Sequence, residues 1–92
     1  MLVAGSARCL PERRAELLRR IRVMEAASSQ DAGCLYYRFS HDLVDPHLFE
    51  SVEIWASEAD LQAHLSRGHT VDFIAAMETL IVGSPALTIR PL

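Results

Sequence analysis

The length and charge of this chain restrict the classes of protein to which it can belong. Its 92 residues, half of them hydrophobic, are enough for one domain with a single core, which would bury more apolar surface by packing against a second copy. A net charge of −3 lacks the basic surface of a nucleic-acid-binding protein, and no apolar run approaches the roughly 20 residues that span a bilayer. We therefore predict one cytoplasmic domain over residues 1–92, without nucleic-acid or membrane partners.

Two residue types are missing from the chain. All nine basic residues are arginine, which excludes Schiff-base, lysine-anchored pyridoxal phosphate and P-loop chemistry. Asparagine is absent as well. The only two thiols, Cys9 and Cys34, lack a CxxC spacing, and we predict that both remain reduced.

The first strand and the first helix come from residues 2–28. Residues 2–9 are apolar or small and precede Pro11, which suits the first turn of a helix. From Glu12 to about Ser28, apolar residues recur every three or four positions, which predicts an amphipathic helix. Its apolar positions are Leu17, Leu18, Ile21, Met24 and Ala27.

A hairpin of two strands follows the turn at 28–33. Residues 34–41 and 47–56 are rich in aromatic and β-branched residues and flank a polar loop. Because side chains alternate along a strand, every second residue should face the helices. These inward residues are Leu35, Tyr37 and Phe39 on one strand and Phe49, Ser51, Glu53 and Trp55 on the other. A pairing in which residue numbers sum to about 88 would place Tyr37 opposite Ser51 and Arg38 opposite Glu50.

The last third of the chain predicts a helical segment and a final strand. Ser57, followed by Glu58 and Asp60, is typical of a helix N-terminus. The residues at 67–69 should interrupt this helix, and a second helical segment should continue to Gly83-Ser84-Pro85. Residues 86–90 predict a short last strand.

This order of elements, βαββαβ, predicts an α+β ferredoxin-like sandwich with an antiparallel sheet in the order 4-1-3-2 and both helices on one face. The third strand would present Leu48, Val52 and Ile54 on the other, bare face, so we expect a homodimer through that face. The first and second strands would lie roughly 9–10 Å apart, too far for a disulfide.

Several short motifs in this order resemble the antibiotic biosynthesis monooxygenase domain family. They are Pro11 before a helix, Gly33-Cys34-Leu35-x-x-x-Phe39 with Tyr37 inside it, Asp45-Pro46, Glu53-x-Trp55, Ala59-x-Leu61-x-x-His64, and His69. Each motif is weak alone, but together they cover nearly the whole chain. The resemblance implies a dimer whose two sheets close into an α+β barrel, with a pocket between sheet and helices in each subunit.

The family includes enzymes that oxygenate phenols without metal or flavin, quinol monooxygenases, a haem-degrading branch, and small proteins without demonstrated activity. Some catalytic members depend on a pocket asparagine, which this chain lacks, so haem degradation is disfavoured. The resemblance implies a cofactor-independent monooxygenase that acts with O₂ on a quinol or a polyphenolic aromatic. A dimeric or stress-associated protein that binds a small aromatic or aldehyde-like metabolite without turnover is the alternative, and an isomerase is the third possibility.

Three residues are predicted to be catalytic. His64 or Glu53 would take a phenolic proton, and the indole N–H of Trp55 would stabilise the resulting anion. Each also has a structural interpretation, since Trp55 could be core, Glu53 could be paired with an Arg or His, and His64 could be a satisfied buried group. The predicted substrate-binding residues are Tyr37, Phe39, Ser51, Phe73 and His69.

No metal site is predicted from the spacing of the histidines. His64 and His69 are five residues apart, which does not place them on one helical face, and His41 and His47 belong to a hairpin end. His69 also has a structural interpretation, as a helix cap or a surface residue.

Overall fold

The computed structural model describes all 92 residues and confirms the predicted order of elements. The strands are β1 (Leu2–Cys9), β2 (Cys34–His41), β3 (Leu48–Trp55) and β4 (Ile81–Arg90). The helices are α1 (Arg14–Ser28), preceded by a 3-10 turn at Pro11–Arg13, then α2 (Glu58–Leu65) and α3 (Gly68–Leu80). The sheet is antiparallel with the order β2-β3-β1-β4, as predicted for a ferredoxin-like α+β fold.

The helices pack on one face of this sheet and form the core there. Helix α1 buries the residues of its apolar stripe, among them Leu17, Ile21 and Met24, because their three- and four-residue spacing keeps them on one side. They pack against inward strand residues such as Phe49 and Trp55. No helix covers the other face, where Val52 is 39% exposed.

The register of the β2–β3 hairpin differs from the prediction by two residues. Tyr37 lies opposite Glu53 and Arg38 opposite Val52, so paired numbers sum to 90 rather than 88. The loop sets this register: the Asp42 carboxylate accepts hydrogen bonds from the amides of Val44 and Asp45, both at 2.9 Å, which makes a compact turn. A shift of two residues does not by itself move a side chain to the other face of the sheet.

One predicted inward residue, Leu35, is on the wrong side. A β-bulge between Cys34 and Tyr36 breaks the alternation, and Leu35 is 66% exposed. Cys34 instead packs against the core.

Strand β4 is longer than predicted and begins where the helix was expected to continue. Helix α3 ends at Leu80, and the β-branched Ile81 and Val82 already pair with Cys9 and Arg8 of β1. The segment Gly83-Ser84-Pro85 therefore lies within the strand, at a register irregularity, rather than after a helix. Such a bulge accommodates Pro85, which has no N–H for the ladder.

The two cysteines lie on strands that are not neighbours, as predicted. Strand β3 separates β1 with Cys9 from β2 with Cys34, and both thiols are free. None of the three helices combines the length and the apolar character needed to cross a membrane.

Candidate functional site

A cavity of about 350 Å³ lies between the inner face of the sheet and the helices. Its lining is mainly apolar and includes most of the predicted site residues: Tyr37, Phe39, Ser51, Glu53, His64 and Phe73. The alternation of β2 and β3 brings the first four together, and α2 and α3 supply the histidine and the second phenylalanine. The cavity has the size and apolar character of a site for a small organic ligand.

His64 is the buried polar group at the centre of this site. It lies in the last turn of α2 and is 2% exposed. Its Nδ1 is 2.8 Å from Oδ2 of Asp31, and its Nε2 is 3.8 Å from Oε1 of Glu53. An ionised carboxylate only accepts, so Nδ1–H donates to Asp31, and in the neutral imidazole Nε2 carries the free lone pair.

Asp31 is a site residue that sequence reasoning missed. It lies in the turn between α1 and β2 and accepts hydrogen bonds from His64 Nδ1 and His69 Nε2, each at 2.8 Å. Burial acts to raise the pKa of Asp31, but these two hydrogen bonds outweigh it, and the pKa falls below its ordinary 3.8. The sequence offered no signal for it, because a turn aspartate close to a glycine is usually explained by turn formation alone.

Glu53 lies on the cavity wall opposite Tyr37 and has no arginine partner. Its Oε1 accepts a hydrogen bond from the indole Nε1–H of Trp55 at 3.0 Å. Burial raises the pKa of Glu53 above its ordinary 4.5, although the Trp55 hydrogen bond and the nearby His64 act in the opposite direction. Among arginine and histidine side chains, the one within 4 Å of the Glu53 carboxylate is therefore His64, in the interior rather than at the rim.

Trp55 does not line the cavity, contrary to the predicted contact between its indole N–H and a substrate anion. Its side chain is 1% exposed and packs with Val3, Met24 and Leu61 in the core. The indole lies behind the site, where its ring is 4.4 Å from the His64 ring and its N–H holds Glu53. Trp55 thus contacts His64 and Glu53 from the core side and does not contact the cavity itself.

Tyr37 lines the cavity next to both acid–base groups. Its ring makes an edge contact with His64, with 5.5 Å between ring centroids. Burial, and next the charge of Glu53, raises the pKa of Tyr37 above its ordinary value. The phenol therefore stays protonated at neutral pH and remains a hydrogen-bond donor.

His69 is not part of the cavity wall, contrary to the predicted role in substrate binding. It begins α3 and turns away from the cavity to Asp31, beside a groove on the surface. The premise that kept His64 and His69 apart was also wrong. The five-residue spacing was counted along one helix even though an interruption was predicted at 67–69; the chain bends there, between α2 and α3, and both rings contact Asp31, with centroids 6.0 Å apart.

The mouth of the cavity opens between α3 and β4. Exposed aliphatic side chains surround it: Leu65, Ile74, Leu87 and Ile89. They leave an apolar surface in contact with water at the entrance.

Solved structures and a family model identify the relatives of this chain. A Pseudomonas aeruginosa protein, PA3566, is 28% identical with a TM-score of 0.84, and the match covers 99% of this chain and 93% of that one. Rv0793 from Mycobacterium tuberculosis is 22% identical with a TM-score of 0.91, over 99% and 93% of the two chains. A structure described as an antibiotic biosynthesis monooxygenase shares the fold with a TM-score of 0.92 at 22% identity, over 100% and 98%.

The comparison with curated proteins finds no match. The family model for antibiotic biosynthesis monooxygenases, in contrast, matches residues 1–76, which include all of the cavity residues on β1 to α3 named above. The chain belongs to the antibiotic biosynthesis monooxygenase family.

Proposed function

We propose that this protein is a cofactor-independent monooxygenase that uses O₂ to oxygenate a quinol or a polyphenolic aromatic. The observation that carries the proposal is the arrangement around His64. One imidazole nitrogen is held by an ionised aspartate, and the other is free at an apolar cavity beside a glutamate with a raised pKa. This is the arrangement that a general base for a phenol requires.

The chemistry needs little from the protein beyond deprotonation and exclusion of water. Triplet O₂ reacts slowly with closed-shell molecules, but a phenolate is electron-rich enough to reduce it. A dihydroxybenzene and O₂ then yield a hydroxyquinone and water: one oxygen atom enters the ring, the other leaves as water, and the substrate supplies all four electrons.

Each residue has a role in this scheme. Nε2 of His64 takes the phenolic proton, and Glu53, 3.8 Å away, accepts it in turn and returns it when water forms. Tyr37, Phe39 and Phe73 pack on the aromatic ring. Asp31 and Trp55 are positioning residues that hold His64 and Glu53.

Oxygen uptake with a panel of dihydroxy-aromatics tests this proposal. His64→Asn is the sharpest variant, because the asparagine amide can still donate to Asp31 where Nδ1 stood but offers no base toward the cavity. We expect a loss of about 10²-fold or more in kcat, the range for a general base, with the folded state retained. His47→Ala, on the hairpin loop outside the cavity, should keep full activity.

Two results would contradict the proposal. If His64→Asn retains the oxygen uptake of the wild type, the histidine is not the base. If the wild type consumes no oxygen with any compound but binds the same aromatics saturably, the protein is a binding protein without turnover.

We also propose that the protein forms a homodimer through the outer face of the sheet. The support is the apolar patch that cross-strand pairing builds there. Tyr36, Ile54 and Leu2 form one row, and Val52 and Ala4 lie in the next. Exposed Leu35 extends the patch at the edge of the sheet.

A further inference from the structure

We propose that Asp31, His64 and His69 form a binding site for a borderline divalent transition-metal cation, for which Zn²⁺ is the probe. Their ligand atoms, Oδ2, Nδ1 and Nε2, lie within 4.8 Å of one another. Two imidazoles and one carboxylate are the donor set that Zn²⁺, Co²⁺ and Ni²⁺ prefer over the oxygen-only sites of Mg²⁺ and Ca²⁺.

Two of the three distances between the donor atoms are close to those of a metal site. Each histidine nitrogen is 2.8 Å from Oδ2 of Asp31. In a tetrahedral zinc site with bonds of 2.0–2.1 Å, neighbouring ligand atoms are about 3.3 Å apart. An ion that replaces the two hydrogen-bonding protons therefore needs the carboxylate oxygen to move out by about half an ångström and the two nitrogens, which lie within 4.8 Å of each other, to approach by up to about 1.5 Å, which rotation of the partly exposed His69 side chain can supply.

The surroundings of His64 supply the outer carboxylate that metal-bound imidazoles usually have. Coordination through Nδ1 moves the ring proton to Nε2, which is 3.8 Å from Oε1 of Glu53, so the metal-bound form cannot use Nε2 as the base of the proposed reaction and would be its inhibited form. Glu53 can then accept from Nε2–H and fix the ring in the metal-binding tautomer. The second carboxylate thus completes a Glu53–His64–metal arrangement without any further residue.

The site is accessible from the surface on the side away from the cavity. His64 is buried and the Asp31 side chain is 9% exposed, but the His69 side chain is 25% exposed. It lines a surface groove whose charged residues balance, the carboxylates of Glu16 and Asp72 against the guanidinium groups of Arg19 and Arg20. The groove provides an entry path and room for a water molecule as fourth ligand.

The positive charge of Arg67 lowers the affinity of this site for a cation, which allows a test that distinguishes a metal site from a hydrogen-bond network. Its Nε lies 3.9 Å from Oδ1 of Asp31, the oxygen that faces away from the histidines, and its side chain is 52% exposed. Its charge weakens cation binding, so removing it should strengthen the site. A pure hydrogen-bond network with no metal affinity gives no such gain.

Titration of the purified protein with Zn²⁺ in a calorimeter, with Co²⁺ absorption as a second readout, tests the site. We expect one ion per chain, and a loss of affinity of at least about 10-fold in His69→Ala and in Asp31→Asn. His47→Ala controls for surface histidines and should bind as the wild type does. Arg67→Gln should bind more tightly than the wild type.

Thermal unfolding provides a readout that does not depend on enzymatic activity. Zn²⁺ should raise the Tm of the wild type and leave that of His69→Ala unchanged. The proposal is overturned if wild type and His69→Ala bind Zn²⁺ equally, if His47→Ala loses as much affinity as His69→Ala, or if Arg67→Gln gains none. These measurements stand apart from oxygen uptake, so either proposal can fail alone.

Discussion

His64 lies between two carboxyl groups whose environments push their pKa values in opposite directions. Asp31 accepts two hydrogen bonds and stays ionised, whereas Glu53 is buried on the cavity wall with a single donor. Asp31 therefore holds the imidazole as an ionised carboxylate, and Glu53 takes up a proton more readily than Asp31 does.

The raised pKa of Glu53 predicts that this residue costs stability at neutral pH. The folded state holds the Glu53 proton more tightly than the unfolded chain does, so the cost begins above the ordinary value of 4.5 and is complete once the pH exceeds the folded pKa. We expect Glu53→Gln to be more stable than the wild type at pH 7, with the difference vanishing toward pH 4. Urea unfolding midpoints across this range measure it.

Glu12→Gln is the control, because Glu12 is exposed in the turn before α1, away from the cavity and from the outer face of the sheet. It should leave the dependence of stability on pH unchanged. If Glu53→Gln is less stable than the wild type at every pH, the Glu53 carboxylate contributes a favourable contact that its pKa does not reflect.

Several residues of the cavity lining could be predicted from the sequence because strand alternation is a strong local rule. Alternation alone was enough to place Tyr37, Ser51 and Glu53 on the cavity side of the sheet, even though the predicted register was wrong. The contact of Asp31 with His64 and the burial of Trp55 behind the cavity could not be predicted, because both depend on how elements distant in sequence pack together. Alternation tells which face a residue occupies and does not tell which neighbour covers it.

The turn between α1 and β2 brings Asp31 to His64, and Gly33 makes that turn possible. Gly33 has φ of +80°, and a Cβ there would come within 2.2 Å of the Asp60 side chain at the start of α2. Gly83 also has a positive φ, +66°, but a Cβ there meets nothing within 4 Å. Substitution of Gly83 therefore measures backbone strain alone, whereas substitution of Gly33 measures backbone strain together with steric overlap.

We predict that Gly83→Ala destabilises the protein by about 1–2 kcal/mol, the cost of a left-handed conformation for alanine, and that Gly33→Ala costs at least about 1 kcal/mol more. Chemical denaturation of both variants measures this difference. Equal losses would show that Asp60 moves aside freely and that its contact does not support the turn.

At the level of elements, three strand bounds followed the sequence closely and the fourth did not. β1 and β2 begin and end at the predicted residues, because apolar, aromatic and β-branched runs there end at clear turn signals. In β4, the pair Gly83-Ser84 followed by Pro85 carries a strong stop signal. In the structure these residues form a bulge within a long strand. A bulge and the end of a helix have the same sequence pattern here, and only the pairing of β4 with β1 distinguishes them.

For the whole molecule, the uncovered sheet face predicts association. Each chain has a mass of 10.2 kDa, so light scattering should give about 20 kDa for a dimer at micromolar concentration. Ile54→Glu places a charge between Tyr36 and Leu2 in the apolar patch and should weaken association by at least about 10-fold. Val23→Glu is the control, since Val23 is 67% exposed on α1, away from the sheet. A monomeric wild type would contradict the dimer, and equal weakening by both variants would contradict its placement.

The bend between α2 and α3 makes the site depend on the number of residues as much as on their identity. One added residue at Ser66-Arg67 would rotate every side chain of α3 by about 100° around the helix axis. His69 would leave Asp31 and Phe73 would leave the cavity, while the sheet kept its pairing. Among relatives that diverge from this chain, an insertion or deletion at this bend would therefore change the chemistry of the site more abruptly than most substitutions, with the fold preserved.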